Sequence, residues 1–190
     1  MDEAGYYAQA VLLDASKMGV PQRRERVFFI GLRKDLAAPF LYQHDMFTVL
    51  PRIDLRFKEL GIPFGEFMDA NAPKNTITDF KIGLMAEAKF GEKSLQFACE
   101  RLYGKQNNFG DKILYTDSVC GTITSNNYET IWNENRLKTE METICAGSFP
   151  SDYNFIDSDA SYVIAMSVPP VMTAQIASRI WEQWLSRLFL

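Results

Sequence analysis

The stretch that most constrains this chain is residues 18–31, which read MGVPQRRERVFFIG. Gln22, Arg24 and Arg26 alternate there and lead directly into the apolar run Val27–Ile30. Alternate residues of an extended chain point to the same side, so three donor-rich side chains share one face at the edge of a strand that must be buried. Such a placement costs free energy unless the donors meet a partner. The stretch therefore predicts that these side chains face an anionic or carbonyl-rich partner.

Two predicted strands flank this stretch. Residues 6–14 (YYAQAVLLD) alternate moderately and predict one strand, and residues 26–32 predict a second after a loop that contains Gly19 and Pro21. The second strand is apolar on both faces at its centre, which is typical of a strand covered on both sides in an α/β sheet. Two strands cannot cover two faces by themselves. The sequence therefore predicts a sheet that is completed by strands and helices outside this chain.

The remainder of the chain predicts short elements. Residues 33–111 are largely irregular, although helix is expected for part of 81–103. Pro169 and Pro170 open a final helix, whose apolar residues recur at spacings of three and four. The other expected elements are short helices at 57–61 and 65–69, turns at 106–110, 126–127 and 133–135, strands at 112–115 and 121–125, and a helix from 139 to 146.

The net charge of the chain excludes few classes of function. The chain carries 20 basic and 24 acidic residues, a net charge of −4. The acidic excess lies in residues 116–190, with 4 basic and 9 acidic side chains, whereas residues 33–115 carry 12 and 11. A nucleic-acid groove in the middle of the chain would therefore gain its potential from local placement and not from bulk charge.

Residue counts set further expectations. Three cysteines without a Cys-x-x-Cys spacing predict free thiols in a reducing compartment, and we expect a cytoplasmic protein. The single histidine, His44, argues against histidine-based metal sites, and no metal site is expected. The acidic start is unlike a signal peptide. No apolar run approaches the roughly 18 residues that a membrane span needs, so no membrane contact is expected.

Three segments carry a resemblance to a known family. Residues 18–31 resemble motif VIII, Gln-x-Arg-x-Arg, of the DNA (cytosine-5)-methyltransferases. Residues 136–142 (RLKTEME), followed by 148–155 (SFPSDYNF), resemble motif IX and the Phe-Pro-x-Asp-Tyr segment after it. Residues 162–170 (YVIAMSVPP), followed by an amphipathic helix, resemble motif X. Three motifs in the family's order are more specific than any one of them, and the unmatched middle corresponds to the family's variable target-recognition region.

The motifs of the family's first half are absent from the sequence. No Gly-x-Gly occurs, so there is no Phe-x-Gly-x-Gly cofactor loop. The three cysteines follow Ala98, Val119 and Ile144, so there is no Pro-Cys nucleophile motif. Glu134-Asn135 is not followed by valine, so the Glu-Asn-Val motif is missing too. The resemblance therefore implies the C-terminal half of a methyltransferase, which would need an N-terminal half or subunit as its partner.

The resemblance also implies a fold. We expect a mixed α/β protein with part of a Rossmann-like methyltransferase sheet, made of a strand hairpin and a C-terminal helix, and a small irregular α+β target-recognition domain. Residues 1–33 and 160–190 would form the pieces of the catalytic domain, and residues 34–159, including motif IX, would form the recognition domain.

Roles for motif VIII follow from the family's reaction. In that reaction the methyl group of S-adenosylmethionine passes to carbon 5 of a cytosine that has been swung out of DNA, after a cysteine thiolate attacks the ring. By resemblance, Arg26 would stabilise the negative charge that develops on the ring. Arg24 would position Arg26 or reach a phosphate, and Gln22 would support the lip of the pocket. Alternatively, the two arginines form surface ion pairs with acids such as Glu25 or Glu142.

Motifs IX and X are expected to act as scaffold and cofactor contact. An Arg136–Glu142 link or a Thr139 cap would fix the orientation of the recognition region. The chain departs from the family at Cys145 and Gly147, where arginine and glutamine are usual. In motif X, Ser167 and the Val168 backbone would meet the methionine part of S-adenosylmethionine, ahead of a helix N-terminus that favours its carboxylate.

For motif X, a second role remains open for Ser167, and one cofactor contact of the family is lost. Ser167 could instead be a plain N-cap of the final helix. Met166 stands where the family has asparagine, so the cofactor contact of that side chain is lost.

Contacts to DNA are expected at the end of the recognition region. Thr122, Ile123 and Thr124 resemble the Thr-Ile segment that closes this region in the family, and the alternative is an ordinary β-branched strand. Asn126 and Asn127 have side chains suited to DNA, although turns use asparagine as well. The resemblance thus implies the target-recognition half of a DNA cytosine methyltransferase. The alternative is a non-catalytic DNA-binding module or an inactive remnant.

Overall fold

The computed structural model describes residues 3–44, 47–104, 111–125 and 129–188. Within them the fold is mixed α/β with three small sheets. Its strands are β1 (Tyr6–Asp14), β2 (Glu25–Arg33), β3 (Tyr42–His44), β4 (Phe47–Val49), β5 (Lys112–Leu114), β6 (Glu129–Ile131) and β7 (Arg136–Leu137). Its helices are α1 (Asp79–Glu87), α2 (Gln96–Tyr103), α3 (Glu140–Ala146), α4 (Ala160–Met166), α5 (Pro170–Ile180) and α6 (Ser186–Leu188).

The two predicted strands around motif VIII are confirmed as an antiparallel hairpin. Strands β1 and β2 pair over their whole length, with Tyr6 opposite Arg33 and Asp14 opposite Glu25. The connection begins with a 3-10 turn at Ala15–Lys17, which Asp14 caps by accepting a hydrogen bond from the Ser16 amide at 3.0 Å. The left-handed backbone of Gly19 (φ +78°) then turns the chain back towards β2.

The outer face of the hairpin is apolar and open. Leu12 is 61% exposed, Val27 55% and Phe29 67%, while the inner face buries Leu13, Ile30 and Leu32. We call the surface formed by Leu12, Val27 and Phe29 the outer hairpin face. While these large apolar side chains stay exposed to water, the fold does not gain the free energy that their burial would contribute. The prediction that β2 is built for cover on both sides therefore fits its residues, but within the described part of the chain only one side is covered.

The third sheet has three strands. Strand β6 pairs parallel with β5 and antiparallel with β7. Asn133 (φ 63°) and Asn135 (φ 50°) adopt left-handed backbone in the β6–β7 turn, as the predicted turn chemistry requires. The expected strand at 121–125 is wrong. The only pairing beside it in the described chain is an isolated bridge between Gln22 and the preceding residue, Cys120, and the polar groups of Thr122 and Ile123 bond to Arg23 and Gln22.

Helix predictions for the middle of the chain were partly correct. The expected helix within 81–103 is two helices, α1 and α2, and the left-handed Gly104 ends the second. No helix forms at 57–61, and 65–69 holds only the end of a 3-10 turn, Phe64–Glu66. Ile53 and Leu55 alternate into the core, which requires extended backbone before this point. The predicted turn at 106–110 lies outside the described residues.

The C-terminal helical stretch is long and apolar. Residues 160–188 pass a test for a membrane span on length and composition alone, with mean hydropathy of 1.2 in the most apolar window. The stretch is interrupted between α4 and α5 at Ser167–Pro169, and it continues after α5 as a π-helical turn, Trp181–Leu185. Met172, Ile176 and Trp184 lie buried against the hairpin, as the predicted amphipathic helix requires. This is weak evidence for a membrane, and the expected lack of membrane contact stays a prediction.

Three clusters of buried residues form the core. The first packs the inner hairpin face against α5 and also takes in Ala37, Ile53 and Leu55. The second lies between the third sheet, α3 and α4, and the third lies under α1 and α2. The division at residues 33 and 160 stays a prediction. The packing of Ile53 and Leu55 favours a boundary further along the chain.

Helices α3 and α4 approach closely at Gly147. A Cβ atom built on Gly147 would lie 2.6 Å from Ile164 Cγ2 and 3.3 Å from the Phe149 ring. Glycine at this position therefore has a packing reason, because only glycine leaves room for Ile164.

We expect Gly147→Ala to lower the free energy of unfolding by about 1–3 kcal/mol, because the added methyl overpacks the α3–α4 contact. The matched control is Gly83→Ala, since Gly83 lies in α1 with open space around it, and there alanine should raise stability by up to about 1 kcal/mol. Urea unfolding of the three proteins measures both changes. Equal effects of the two substitutions would contradict the packing explanation.

Candidate functional site

Gln22 lies in a buried junction between the start of β2, the end of α3 and the segment after Cys120. Its side chain is fully buried, and its Nε2 donates to the Ala146 carbonyl at 3.3 Å. Its Oε1 accepts from the Ile123 amide at 3.1 Å, and the neighbouring Arg23 amide donates to the Cys120 carbonyl at 2.8 Å. One side chain thus ties the start of β2 to the end of α3 and to the segment after Cys120.

Arg24 is the centre of the same junction. Its guanidinium is buried and donates to the carbonyls of Ile123 (3.4 Å), Ala165 (2.5 Å) and Ser167 (2.9 Å). Burial, and then the charge of the nearby Arg26, lowers the pKa of Arg24 from its ordinary value. The predicted carbonyl-rich partner is confirmed for this residue. The alternative of a surface ion pair is wrong for Arg24, since its partners are main-chain carbonyls.

Arg26 is placed differently. It follows Arg24 on the same face of the chain but is only half-buried, and its Nη1 donates to the carbonyl of Glu25 at 2.7 Å. Within the described residues Arg26 makes no ion pair. Most of its donors therefore remain available to a ligand. Of the three predicted residues, Gln22 and Arg24 build the junction and Arg26 is the one that can reach outwards.

The predicted DNA-contacting segment forms the other side of the junction. The hydroxyl of Thr122 donates to the Arg23 carbonyl at 2.8 Å, and Thr122 itself is exposed. Ile123 is buried, with its amide and carbonyl bound by Gln22 and Arg24. Thr124 is exposed. Asn126 and Asn127 lie outside the described residues. A DNA contact by any of these five residues stays a prediction, and the main chain of Ile123 is already occupied.

The motif X turn supplies limited groups for a cofactor. The Ser167 hydroxyl donates to the Ile164 carbonyl at 3.0 Å and so caps the end of α4, which makes the N-cap alternative wrong. Val168 is exposed beside it. Pro170 has no amide hydrogen, and the Val171 amide donates to Ser148 Oγ at 3.3 Å. The start of α5 therefore offers a carboxylate fewer donors than the sequence suggested.

The thiols lack the properties of an exposed nucleophile. Cys99 and Cys120 are buried and Cys145 is half-buried, all as free thiols. The backbone of Cys120 forms a bridge with that of Gln22, and burial raises the pKa of the Cys120 thiol to about 12, so the thiol stays protonated at neutral pH. Among the described residues, no group of three or more His, Cys, Asp or Glu could hold a metal ion.

The predicted Arg136–Glu142 link and Thr139 cap are both present. Arg136 donates to both carboxylate oxygens of Glu142, each at 2.8 Å, and both side chains are almost fully buried. Thr139 and Glu142 form a reciprocal capping box at the start of α3. Glu142 also accepts from the Asp69 amide at 2.9 Å, while Arg136 donates to the Asp69 carbonyl at 3.2 Å. The network therefore holds the segment at Asp69 against α3.

Sequence reasoning missed two features of this region. One is Asp14, whose carboxylate accepts from the Arg24 amide at 3.3 Å and so positions the start of β2. The only sequence signal for this contact was the position of an acidic residue at the end of the first predicted strand. The other is a cavity of about 730 Å³ beside Arg23 and Thr122, lined in part by Phe90 and Tyr115. The residues that line the cavity are far apart in the sequence, and no sequence pattern indicates that they meet.

The fold has counterparts among solved methyltransferase structures. An E. coli prophage protein described as a DNA modification methyltransferase matches with a TM-score of 0.57 at 15% identity, over 95% of this chain and 62% of its own. The Entamoeba histolytica methyltransferase EhMeth matches with a TM-score of 0.57 at 15% identity, over 95% of this chain and 55% of its own. A mutant of Spodoptera frugiperda DNMT2 matches with a TM-score of 0.54 at 15% identity, over 100% of this chain and 60% of its own. The fold is that of a methyltransferase.

The sequence assigns the family. The model of the C-5 cytosine-specific DNA methylases matches residues 1–182, and the chain belongs to this family. It spans between 55% and 62% of the length of the three structures above.

Proposed function

We propose that this chain is the target-recognition half of a DNA (cytosine-5)-methyltransferase. Joined to a front half that supplies the cofactor loop and the nucleophilic cysteine, it would transfer methyl from S-adenosylmethionine to cytosine in DNA. Family membership supports the reaction class, and the missing Phe-x-Gly-x-Gly and Pro-Cys motifs support the need for a partner.

The open outer hairpin face carries the proposal of a front half. Leu12, Val27 and Phe29 present a continuous apolar surface on a hairpin whose second strand was predicted to be covered on both sides. The front half of a methyltransferase is the occupant with matching chemistry, because its sheet and helices would cover an apolar strand face. The buried Cys120 thiol, whose pKa is raised by burial, is unsuited to act as the nucleophile beside motif VIII, so the front half would supply that residue.

Within the assembled enzyme, the three motif VIII residues would have two different roles. Arg26, with donors unpaired by any acid in the described chain, would face the extruded cytosine and stabilise the charge that forms on its ring. Arg24 and Gln22 act as positioning residues, because they hold the recognition segment at Ile123 against the motif X turn.

S-adenosylmethionine would supply the methyl group. The motif X turn fits it in part, through the exposed Val168 and the Ser167 hydroxyl, whose oxygen accepts no hydrogen bond within the described residues. Because the start of α5 has few free amides, the front half would provide most contacts to the cofactor.

A methyl-transfer assay with labelled S-adenosylmethionine tests the proposal. We expect no incorporation into DNA by the purified chain alone. We expect incorporation into cytosine when the chain is co-expressed with a front half encoded beside it that carries Phe-x-Gly-x-Gly and Pro-Cys. Bisulfite sequencing of the host DNA locates the methylated cytosines.

The matched control is the same front half with its nucleophilic cysteine changed to serine, which should abolish incorporation. Incorporation by the chain alone would contradict the need for a partner. Binding of the two halves without any methylation of DNA would contradict the reaction and favour a non-catalytic DNA-binding module.

A further inference from the structure

A groove in the recognition region has no role in the function proposed above. It encloses about 730 Å³ and lies between the turn after Phe90, strand β5 and the segment after Cys120. Its lining includes Phe90, Lys93, Lys112, Tyr115, Thr122 and Glu129, and we call it the recognition groove. A cavity of this size is typical of sites for compounds of drug or nucleotide size.

One wall of the recognition groove is an aromatic cluster. The Phe90 ring lies 5.2 Å from that of Tyr115 in an edge-on arrangement, and the Tyr115 ring lies 5.3 Å from that of Trp132. Phe90 is 76% exposed, yet its turn is fixed, since the Tyr115 hydroxyl accepts from the Gly91 amide and donates to the Glu92 carbonyl. A large apolar ring that stays exposed on a hydrogen-bonded turn is typical of a surface that contacts a ligand or a partner.

The rim of the recognition groove is basic. Arg23, Lys93 and Lys112 line it, all three are exposed, and none makes an ion pair within the described parts of the chain. Of the two acids in the lining, Glu129 is buried and paired with Lys138, which leaves Asp117 as the exposed one. The groove is therefore locally positive although the whole chain has a net charge of −4.

An aromatic wall with cations along its edge is the arrangement that binds single-stranded nucleic acid, with a base against the ring and phosphates on the cations. A base inside a duplex keeps both faces stacked and cannot reach Phe90. The groove also adjoins motif VIII, because the Thr122 hydroxyl bonds to the Arg23 carbonyl.

Resting on the proposed function, we propose that the recognition groove binds one unpaired nucleotide of the DNA near the target cytosine. The base lies against Phe90 and Tyr115, and the phosphates flanking it lie on Arg23, Lys93 and Lys112.

Fluorescence anisotropy with the full chain tests this inference. The probes are a labelled duplex, the same duplex with a one-nucleotide bulge, and the corresponding single strand. We expect the bulged duplex and the single strand to bind more tightly than the plain duplex. Phe90→Ala should weaken binding to the bulged duplex by about tenfold, as for the loss of one stacked base. The matched control is Phe97→Ala, because Phe97 is exposed on α2 outside the groove. This variant should bind the bulged duplex with wild-type affinity.

Salt dependence tests the basic rim. The double variant Lys93→Ala with Lys112→Ala should lower the slope of log affinity against log salt for the single strand by about 1.4, because two phosphate contacts are lost. Lys58→Ala, outside the groove, should leave the slope unchanged.

Three results separate the possibilities. Should Phe90→Ala prove unfolded by circular dichroism, Phe90→Leu keeps an apolar side chain without an aromatic face, and wild-type affinity for the bulged duplex in that variant would contradict stacking in the groove. Wild-type affinity for the bulged duplex in both Phe90→Ala and the double lysine variant would overturn the groove while DNA recognition elsewhere in the chain stands. A wild-type chain that binds none of the three DNAs at low salt would overturn the groove and the proposed function together.

Discussion

Replacing Arg26 by alanine should lower the turnover number of the assembled enzyme by about 100-fold or more, while DNA affinity changes by only a few-fold. The reason is that Arg26 is the half-buried guanidinium of motif VIII whose described partner is a single carbonyl, that of Glu25. Losing one donor that stabilises transition-state charge costs about 10²–10³ in turnover. Single-turnover transfer of labelled methyl, with the chain joined to its front half and DNA in excess, measures this effect.

The matched control is Arg33→Ala at the far end of the same strand. Arg33 is exposed and paired with Asp35, so its removal should leave turnover unchanged. Arg26→Lys keeps the charge but loses the planar donor pair, and an intermediate rate is expected. Full turnover in Arg26→Ala would remove this residue from the mechanism, although the junction formed by Gln22 and Arg24 would keep its structural role.

Breaking the Arg136–Glu142 pair should have the largest effect on stability. Glu142→Ala is expected to lower the free energy of unfolding by about 3–5 kcal/mol, because it leaves a buried guanidinium without its carboxylate. It also removes the acceptor of the Asp69 and Thr139 amides. Urea unfolding followed by circular dichroism measures the change. The matched control is Glu182→Ala, which removes an exposed pair with Arg179 and should cost less than about 0.5 kcal/mol.

The pH dependence of stability gives an independent readout of the same pair. Burial alone raises the pKa of Glu142, but the hydrogen bonds from Arg136 and from the Thr139 and Asp69 amides outweigh it and hold the pKa below its ordinary value. The stabilisation is therefore fully present above the unfolded pKa of about 4.3 and is lost as the pH falls through the lower folded pKa. Glu142→Ala should lack this acid-dependent part. Parallel pH profiles in the wild type and the variant would contradict the linkage.

Local pattern was enough to predict the elements that depend on neighbouring residues. The alternation in β1, the apolar centre of β2 and the stripe of α5 each follow from residues within one element. The Arg136–Glu142 link was likewise predictable, because its partners are six residues apart. Residues 121–125 were not, since Gln22, Arg23 and Arg24 take up their hydrogen bonds from about 100 positions away.

The candidate site follows the same rule. Alternation placed Gln22, Arg24 and Arg26 on one face, and the need for a carbonyl-rich partner was correct for the first two. Which arginine would be buried depended on the segments at Ile123 and Ser167, and nothing local specifies that they meet at Arg24. The recognition groove was hidden for the same reason, because Phe90 and Tyr115 are brought together only by the folded chain.

The hydrogen bonds of Arg24 also bear on which changes of sequence this junction can accept. This guanidinium grips three carbonyl oxygens, which every amino acid carries, and it depends on no side chain of the loops that it joins. A replacement at Ile123, Ala165 or Ser167 can therefore leave these three hydrogen bonds in place wherever the backbone keeps its course. In this sense the contact is indifferent to the side-chain identity of the segments that Arg24 joins.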